Sequence, residues 1–368
     1  VKAQDSQTLY YMNRVPQSTI MNPAMQPACN FFLGLPVISN LQLDAGNNRL
    51  ALTDIVMQHP TNDSLITFLH PEAQFNTSDF LSEIKENNFF YEDFRTDLLS
   101  FGFRANSWYF SFNLSERFTT SINYPKDLLV LALEGNEGFI NRNADLSYLG
   151  VNSSFYREYG IGVSKEISKA LSFGVRVKVL FGHANITSDF NDNKLTMFSS
   201  RDSIYLNADA TVYTSSPLIP TTNADGDFES FEVPGYIENS NSDSLVDLAL
   251  AHNNMGLGID LGAYYQPIEK LSLSLSIIDL GYIKWDIEDV TKLKLNGNYS
   301  FKGVDVSDEI GGSDSGTDPF EEMSDSLMNS FTVSNTAESY TTFLGAKVYI
   351  GANYAVSKKF DVGFLSRS

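Results

Sequence analysis

A single cysteine, Cys29, stands in a chain of 368 residues. That count excludes an intrachain disulfide framework and a thiolate metal cluster, both of which need sets of cysteines. Long apolar runs are missing as well. The densest, Leu128-Leu129-Val130-Leu131-Ala132-Leu133, stops at Glu134, far short of the roughly 20 residues a spanning helix needs. Basic residues are the minority, 25 against 45 acidic ones, for a net charge of −20. No Lys/Arg-rich tract is present to follow a phosphate backbone, so nucleic acid is not an expected partner.

Signatures of chemistry are equally scarce. The four histidines, His59, His70, His183 and His252, lack the His-x-x-x-His or His–Glu spacing that sets zinc ligands on one helix face. There is no Gly-x-Ser-x-Gly elbow and no glycine-rich phosphate loop ending in Lys-Ser/Thr. The acidic stretch from Asp305 to Asp314 does not reproduce the Asp-x-Asp-x-Asp-Gly spacing of a calcium loop. The chain is therefore read as a non-enzyme with no catalytic residue, metal or cofactor. A surface enzyme would have to assemble its site near strand ends, where His183 and His252 are the candidates.

What the sequence does have is strict alternation, which in a strand sorts side chains onto two faces. Leu171, Phe173, Val175, Val177, Val179 and Phe181 share one face, opposite Ser172, Gly174, Arg176, Lys178 and Gly182. Met255, Leu257, Ile259, Leu261, Ala263 and Tyr265 oppose Gly256, Gly258, Asp260, Gly262 and Tyr264, and Leu271, Leu273, Leu275 and Ile277 oppose three serines. Further runs cover Trp108 to Leu114, Ile204 to Val212 and Leu344 to Tyr354. Each run is about 9 to 13 residues, the length a tilted strand needs to cross a bilayer and longer than soluble strands usually are.

Short Lys-bearing turns join neighbouring runs around Ser168-Lys169-Ala170, Glu269-Lys270 and Ser357-Lys358-Lys359, whereas long polar stretches, Ser215 to Asn254 and Gly303 to Ser339, lie between hairpins. Short turns on one side and long loops on the other mark a membrane barrel with its long loops outside the cell. Aromatic residues at 13% suit interfacial girdles. Short helices are expected at Pro125 to Leu133 and, from the N-cap Asp318 with Pro319 behind it, on to about Phe331. If the apolar faces meet lipid, Arg176, Lys178, Asp260 and Lys347 point into the lumen, lining a path or, the preferred reading, pairing with one another to brace a filled barrel.

Gln7-Thr8-Leu9-Tyr10-Tyr11-Met12-Asn13, followed by Met21-Asn22-Pro23-Ala24-Met25, resembles the start of outer-membrane barrels of Bacteroidota. The Asn-Pro-Ala step is shared by the FadL-like transporters of hydrophobic compounds and by the PorV and PorP barrels linked to type 9 secretion. Gly258 to Tyr265, with Asp279-Leu280-Gly281 one strand later, is similar to later hairpins of that superfamily. The resemblance implies an all-β fold, a transmembrane antiparallel barrel of about fourteen strands with an N-terminal hatch and long extracellular loops, in the outer membrane of a Gram-negative bacterium.

On that reading residues 1–3 end a secretory signal peptide, 4–35 form the hatch with its bend at Asn22, Pro23 and Ala24, and 36–368 form the barrel. Taken alone, Pro23 only ends a segment and biases Asn22 toward extended backbone. The sequence offers eleven or twelve strand candidates, and a lipid-exposed edge is not tolerated, so a barrel continuing past residue 368 is expected. Two functions follow: admission of a small hydrophobic or amphipathic compound past the hatch, or a non-transporting accessory or docking barrel of a secretion, motility or surface-protein complex. The expected partners are outer-membrane lipid, with a hydrophobic small molecule under the first and a cell-envelope protein under the second.

Overall fold

The computed structural model describes residues 7–12, 15–36, 39–68, 70, 72–73, 75–188, 193–200, 203–215, 219–222, 228–232, 254–286, 290–301, 331–334, 339–357 and 360–368. Two short helices, α1 (Gln7–Tyr11) and α2 (Ser18–Met21), precede strands β1 (Phe31–Gly34) and β2 (Leu41–Asn47). A small outlying unit follows: α3 (Leu52–Ile55), the ribbon of β3 (Val56–Gln58) and β4 (Leu65–Thr67), and α4 (Thr77–Glu83). The long hairpin of β5 (Asn87–Ala105) and β6 (Trp108–Pro125) leads to α5 (Lys126–Glu134) and β7 (Asn143–Asp145). Next come β8 (Gly150–Ser168), β9 (Leu171–Ser188), β10 (Lys194–Ser199), β11 (Ile204–Ser215) and a ribbon of β12 (Ile219–Thr222) with β13 (Phe228–Glu232). The chain continues through β14 (Met255–Ile268), β15 (Leu271–Trp285), β16 (Val290–Phe301), β17 (Phe331–Ser334), β18 (Tyr340–Phe343), β19 (Lys347–Ser357) and β20 (Phe360–Arg367).

The protein is all-β and antiparallel, dominated by one large sheet. Its main path runs β1, β5, β6, β8, β9, β14, β15, β19, β20, with β2 on the same edge of β5 as β1. The long hairpins turn in two residues, Ala105 facing Trp108, Ser168 facing Leu171 and Ile268 facing Leu271. Asn106 has φ 53 in the first of these, a left-handed position that asparagine tolerates better than most residues. The two-residue turns therefore lie at one end of the sheet and the long connections at the other.

The sheet is strongly curled. Lys347 Nζ on β19 lies 2.7 Å from Asp93 Oδ2 on β5, six strand steps away along the path. Flat, those strands would stand about 29 Å apart at the usual ~4.8 Å spacing. The concave face is the polar one. Phe173, Val175, Val177, Leu257, Leu261 and Leu275 are exposed on the convex side, while Arg176, Lys178 and Asp260 are buried inside.

Several sequence expectations need adjustment. β5, β6, β8 and β9 have 18 or 19 residues, longer than the apolar runs, because the ladder continues through polar residues such as Thr119 to Asn123 after the apolar alternation ends. The run Ile204 to Val212 lies off the main path: β11 pairs with the far end of β9 and with β10 and β16, forming a side branch on the long-loop end. Leu344 to Ala346 precede β19 rather than belonging to it. Phe31–Gly34 is already a strand, so the inner N-terminal segment ends at Asn30, short of the expected residue 35. The helix expected at Pro125 to Leu133 is α5, one residue later, whereas the one expected from Asp318 lies outside the described residues, as do most of the long polar stretches Ser215 to Asn254 and Gly303 to Ser339.

The faces also change phase once in β15. Leu271, Leu273 and Leu275 point outward, yet Leu280 and Tyr282 do so beyond a register shift opposite Ile259–Leu261. Spin labels placed singly along residues 271–285 are expected to show oxygen accessibility with a period of two whose phase inverts across Ile278–Asp279. An uninterrupted phase would refute the bulge.

Candidate functional site

The concave interior is filled in three layers. At the tight-turn end sits the N-terminal segment. Tyr10 stacks on Tyr349 with ring centroids 5.5 Å apart, and Met21 and Met25 pack with Ile278 in the same buried cluster. Asn22, fully buried, donates from Nδ2 to the carbonyls of Ala263 and Leu275, each at 3.3 Å. Its Oδ1 accepts the Ala24 N–H at 2.9 Å, which holds the bend around Pro23. Ser276 Oγ donates to Met21 O at 2.8 Å, Ser172 Oγ to Ala24 O at 2.9 Å, and Arg176 Nη2 to Thr19 O.

This seat explains the small residues on the inner faces of β9 and β14. A Cβ on Gly174 would fall 2.1 Å from Pro23 O, and one on Gly262 would fall 2.1 Å from Asn22 Oδ1. Any side chain at either position would push the segment off the wall, so glycine is required by close approach.

The middle layer is ionic. Arg117 on β6 donates to Asp279 Oδ1 at 2.9 Å and to Asp93 Oδ2 at 3.0 Å. Lys178 Nζ lies 2.7 Å from Asp260 Oδ1 and 2.6 Å from Asp279 Oδ1. Arg95 contacts Asp97 at 3.2 Å and Glu158 at 3.3 Å, and Arg176 reaches Asp260 at 3.4 Å. Ser115 Oγ donates to Asp97 Oδ1 at 2.7 Å and Asn113 Nδ2 to Glu158 Oε1 at 2.9 Å. Asp44 stands at the edge and takes Gln42 Nε2 at 2.6 Å. Buried charge survives only when paired and hydrogen-bonded, and here acids and bases interleave.

Asp279 is the least expected member. It sits at φ 59 in the bulge of β15, a strained left-handed position for a residue other than glycine. Its N–H donates to Asp260 Oδ1 at 2.7 Å. The extra residue re-aims Asp279 from the convex to the concave side, as bulges do.

The third layer, toward the long loops, is an apolar cluster of Tyr156, Leu180, Ile283, Trp285 and Val290. Trp285 Nε1 donates to Thr342 Oγ1 at 2.8 Å, and Tyr340 OH to Asn185 Oδ1 at 2.7 Å. The cavities that border the ionic layer below are about 20 Å³ each, room for about one water molecule. Larger spaces lie toward the ends: about 300 Å³ beside Gln26 and Lys169, and about 190 Å³ above Arg117 and Lys347.

All four charges expected inside are gathered in this ionic layer, Arg176, Lys178, Asp260 and Lys347, and Asn22, Pro23 and Ala24 lie directly beneath it. The sequence reading missed Asp93, Arg95, Asp97, Arg117, Glu158 and Asp279. The enzyme candidate His183 lies 3.5 Å from Glu116 and beside Phe155 on the convex face, where Glu116 also binds Arg157; His252 lies outside the described residues. His59 and His70 do come together, with ring centroids 5.7 Å apart. Each Nδ1 accepts a backbone N–H, from Thr61 and Glu72. That leaves the proton on Nε2, the wrong tautomer for binding a metal there.

Two outcomes test the layers. Arg117→Met removes the cation that Asp93 and Asp279 share, leaving them only Lys347 and Lys178, and is expected to cost about 3–5 kcal/mol, read as a lowered guanidinium midpoint. Gly174→Val is expected to free the N-terminal segment, so that thermolysin cuts between residues 15 and 30 in the variant while the parent chain resists; equal resistance would show that the seat is not where the segment is held.

No curated protein matches the chain. The model of a family of unknown function, DUF5723, matches residues 23–368, from the Pro23 bend to the last strand. That match spans nearly the whole chain, and the protein belongs to the DUF5723 family.

Proposed function

We propose that this chain is an outer-membrane β-barrel of a Gram-negative envelope, closed to bulk passage by its own N-terminal segment, that works as an accessory or docking barrel of a secretion, motility or surface-protein complex. The observation that carries this reading is the continuous filling of the interior, by the Asn22-Pro23-Ala24 bend, the Arg117-centred ion pairs and the Trp285 cluster. Among the described residues the interleaved acids and bases leave no ring of one sign to select an ion, and the floor of the space above them is charged, a poor entry for a hydrophobic solute.

The membrane part of the reading rests on the convex face. Exposed apolar side chains form a band between Trp108, capped by Lys165 Nζ at 4.6 Å from its ring, and the Glu116–Arg157 pair. Those levels are eight residues apart on β6, about 20 Å of height for a strand tilted ~40°, close to the roughly 25 Å apolar band of such barrels. Among the described residues no helix is long and apolar enough to cross a membrane, which says nothing against crossing by strands. Closure between the β20 edge and the β1/β2 edge is part of the proposal, because lipid does not tolerate an open edge.

Two measurements test it. Val177→Arg, in mid-band, is expected to lower folding stability in phospholipid bilayers by about 2–4 kcal/mol; no loss would remove the membrane assignment. In planar bilayers the intact protein is expected to show no steady conductance and deletion of residues 1–30 to create it. Steady conductance by the intact protein, or its uptake of a labelled fatty acid into liposomes, would replace docking with transport.

A further inference from the structure

The cavity of about 190 Å³ above the ionic layer has a composition that the plugging of the interior does not explain. Its floor is the quartet Asp93, Arg117, Asp279 and Lys347, already joined by contacts of 2.7 to 3.0 Å. Arg367, its guanidinium over the Tyr91 ring, lies at the rim. One wall is a patch of two adjacent cross-strand pairs, Thr119 with Ser154 and Ser121 with Asn152. Ser154 accepts from Asn185, but the side chains of Thr119, Ser121 and Asn152 bond to no other group among the described residues. The opposite wall is apolar at Leu344, next to Gly345, which faces open space.

We propose that this cavity binds a small uncharged polyhydroxylated ligand, a single neutral sugar unit, at the long-loop mouth. Size sets the first limit: 190 Å³ holds about six waters at ~30 Å³ each, or one hexose, and is too small for an acyl chain. Charge sets the second. The floor is internally neutralised, so an ionic ligand has no free counter-charge and would have to break an existing pair to gain one. A neutral ligand needs only donors and acceptors, and the wall of Thr119, Ser121 and Asn152 offers hydroxyls and an amide that act as both. The hydroxyl wall facing an apolar wall matches a sugar ring, which carries hydroxyl groups at its edge and C–H bonds on its faces. The site works whether or not the barrel conducts, so it stands apart from the docking reading.

The test is calorimetric titration of the full chain in mild detergent with glucose, mannose and N-acetylglucosamine, and in parallel with glucuronate and glucosamine. Saturable one-to-one binding of at least one neutral sugar is expected, with the charged analogues weaker. Thr119→Val and Ser121→Ala are each expected to weaken it about fivefold per lost hydrogen bond, with thermal unfolding unchanged because neither hydroxyl is used within the fold. Equal or tighter binding of the charged analogues would overturn the proposal, as would no saturable heat with any neutral sugar, which would leave the cavity a pool of water. Binding that persists unchanged in both variants would also overturn it, by placing the ligand elsewhere.

Discussion

Arg117 holds a full positive charge, 5% exposed, between carboxylates that reach it from β5 on one side and β15 on the other. β6 and β15 are four strand steps apart, so a guanidinium that contacts both neighbours requires the sheet to bend around it. The cost of an uncompensated buried charge is several kcal/mol, and this makes the curvature, the bulge at Asp279 and the reach of Lys347 conditions of one another. Relaxing any one leaves a charge without its partner. Glu158 and Lys178 are tied into the same set through Arg95, Asp260 and Asp279, so the constraint extends around most of the inner wall.

The result is a molecule turned inside out relative to a soluble domain. Arg176, Lys178 and Glu158 are among its largest fully buried side chains, while Phe343, Phe364, Ile161 and Leu41 stand on its surface. Removal of apolar surface from water, the usual driving force of folding, acts on the concave side in the clusters around Tyr349 and Trp285, and between them paired charge, close-fitting backbone and hydrogen-bonded serine hold the layers together. Large apolar side chains such as Val177, Leu261 and Ile161 are instead left exposed on the convex side.

How much of this could be read from the residues depends on whether the alternation kept its phase. Arg176, Lys178 and Asp260 sit in stretches whose period of two is unbroken on the inner face, the shift in β9 coming only beyond Gly182, so their orientation was legible. Asp279 was not, because one extra residue in β15 reverses the faces, and counting from Leu275 sends it outward. In β5 a second register shift, between Asp97 and Leu99, separates the inward Asp93, Arg95 and Asp97 from the inward Ser100 and Gly102, so no single phase fits the strand. Arg117 was hidden differently: Glu116 beside it is also charged yet faces outward to Arg157, and sequence alone does not say which of two adjacent charges is inside. The N-terminal seat was legible only through resemblance. Its physical trace, glycines and serines where a strand would otherwise carry bulk, was visible but had no partner to explain it until Asn22 and Pro23 were seen against Gly174 and Gly262.

The hydrogen bonds of Asn22 join it to residues 241 and 253 positions later in the chain. Time therefore runs backward for this segment: it is synthesised before β14 and β15, and its seat does not exist until they have paired. Contacts of such long sequence separation form late because their loop-closure entropy is met only when the intervening chain is already ordered. The segment must spend most of assembly without its binding place. The order of events then resembles a vessel built around an opening and stoppered last, with the stopper attached from the start.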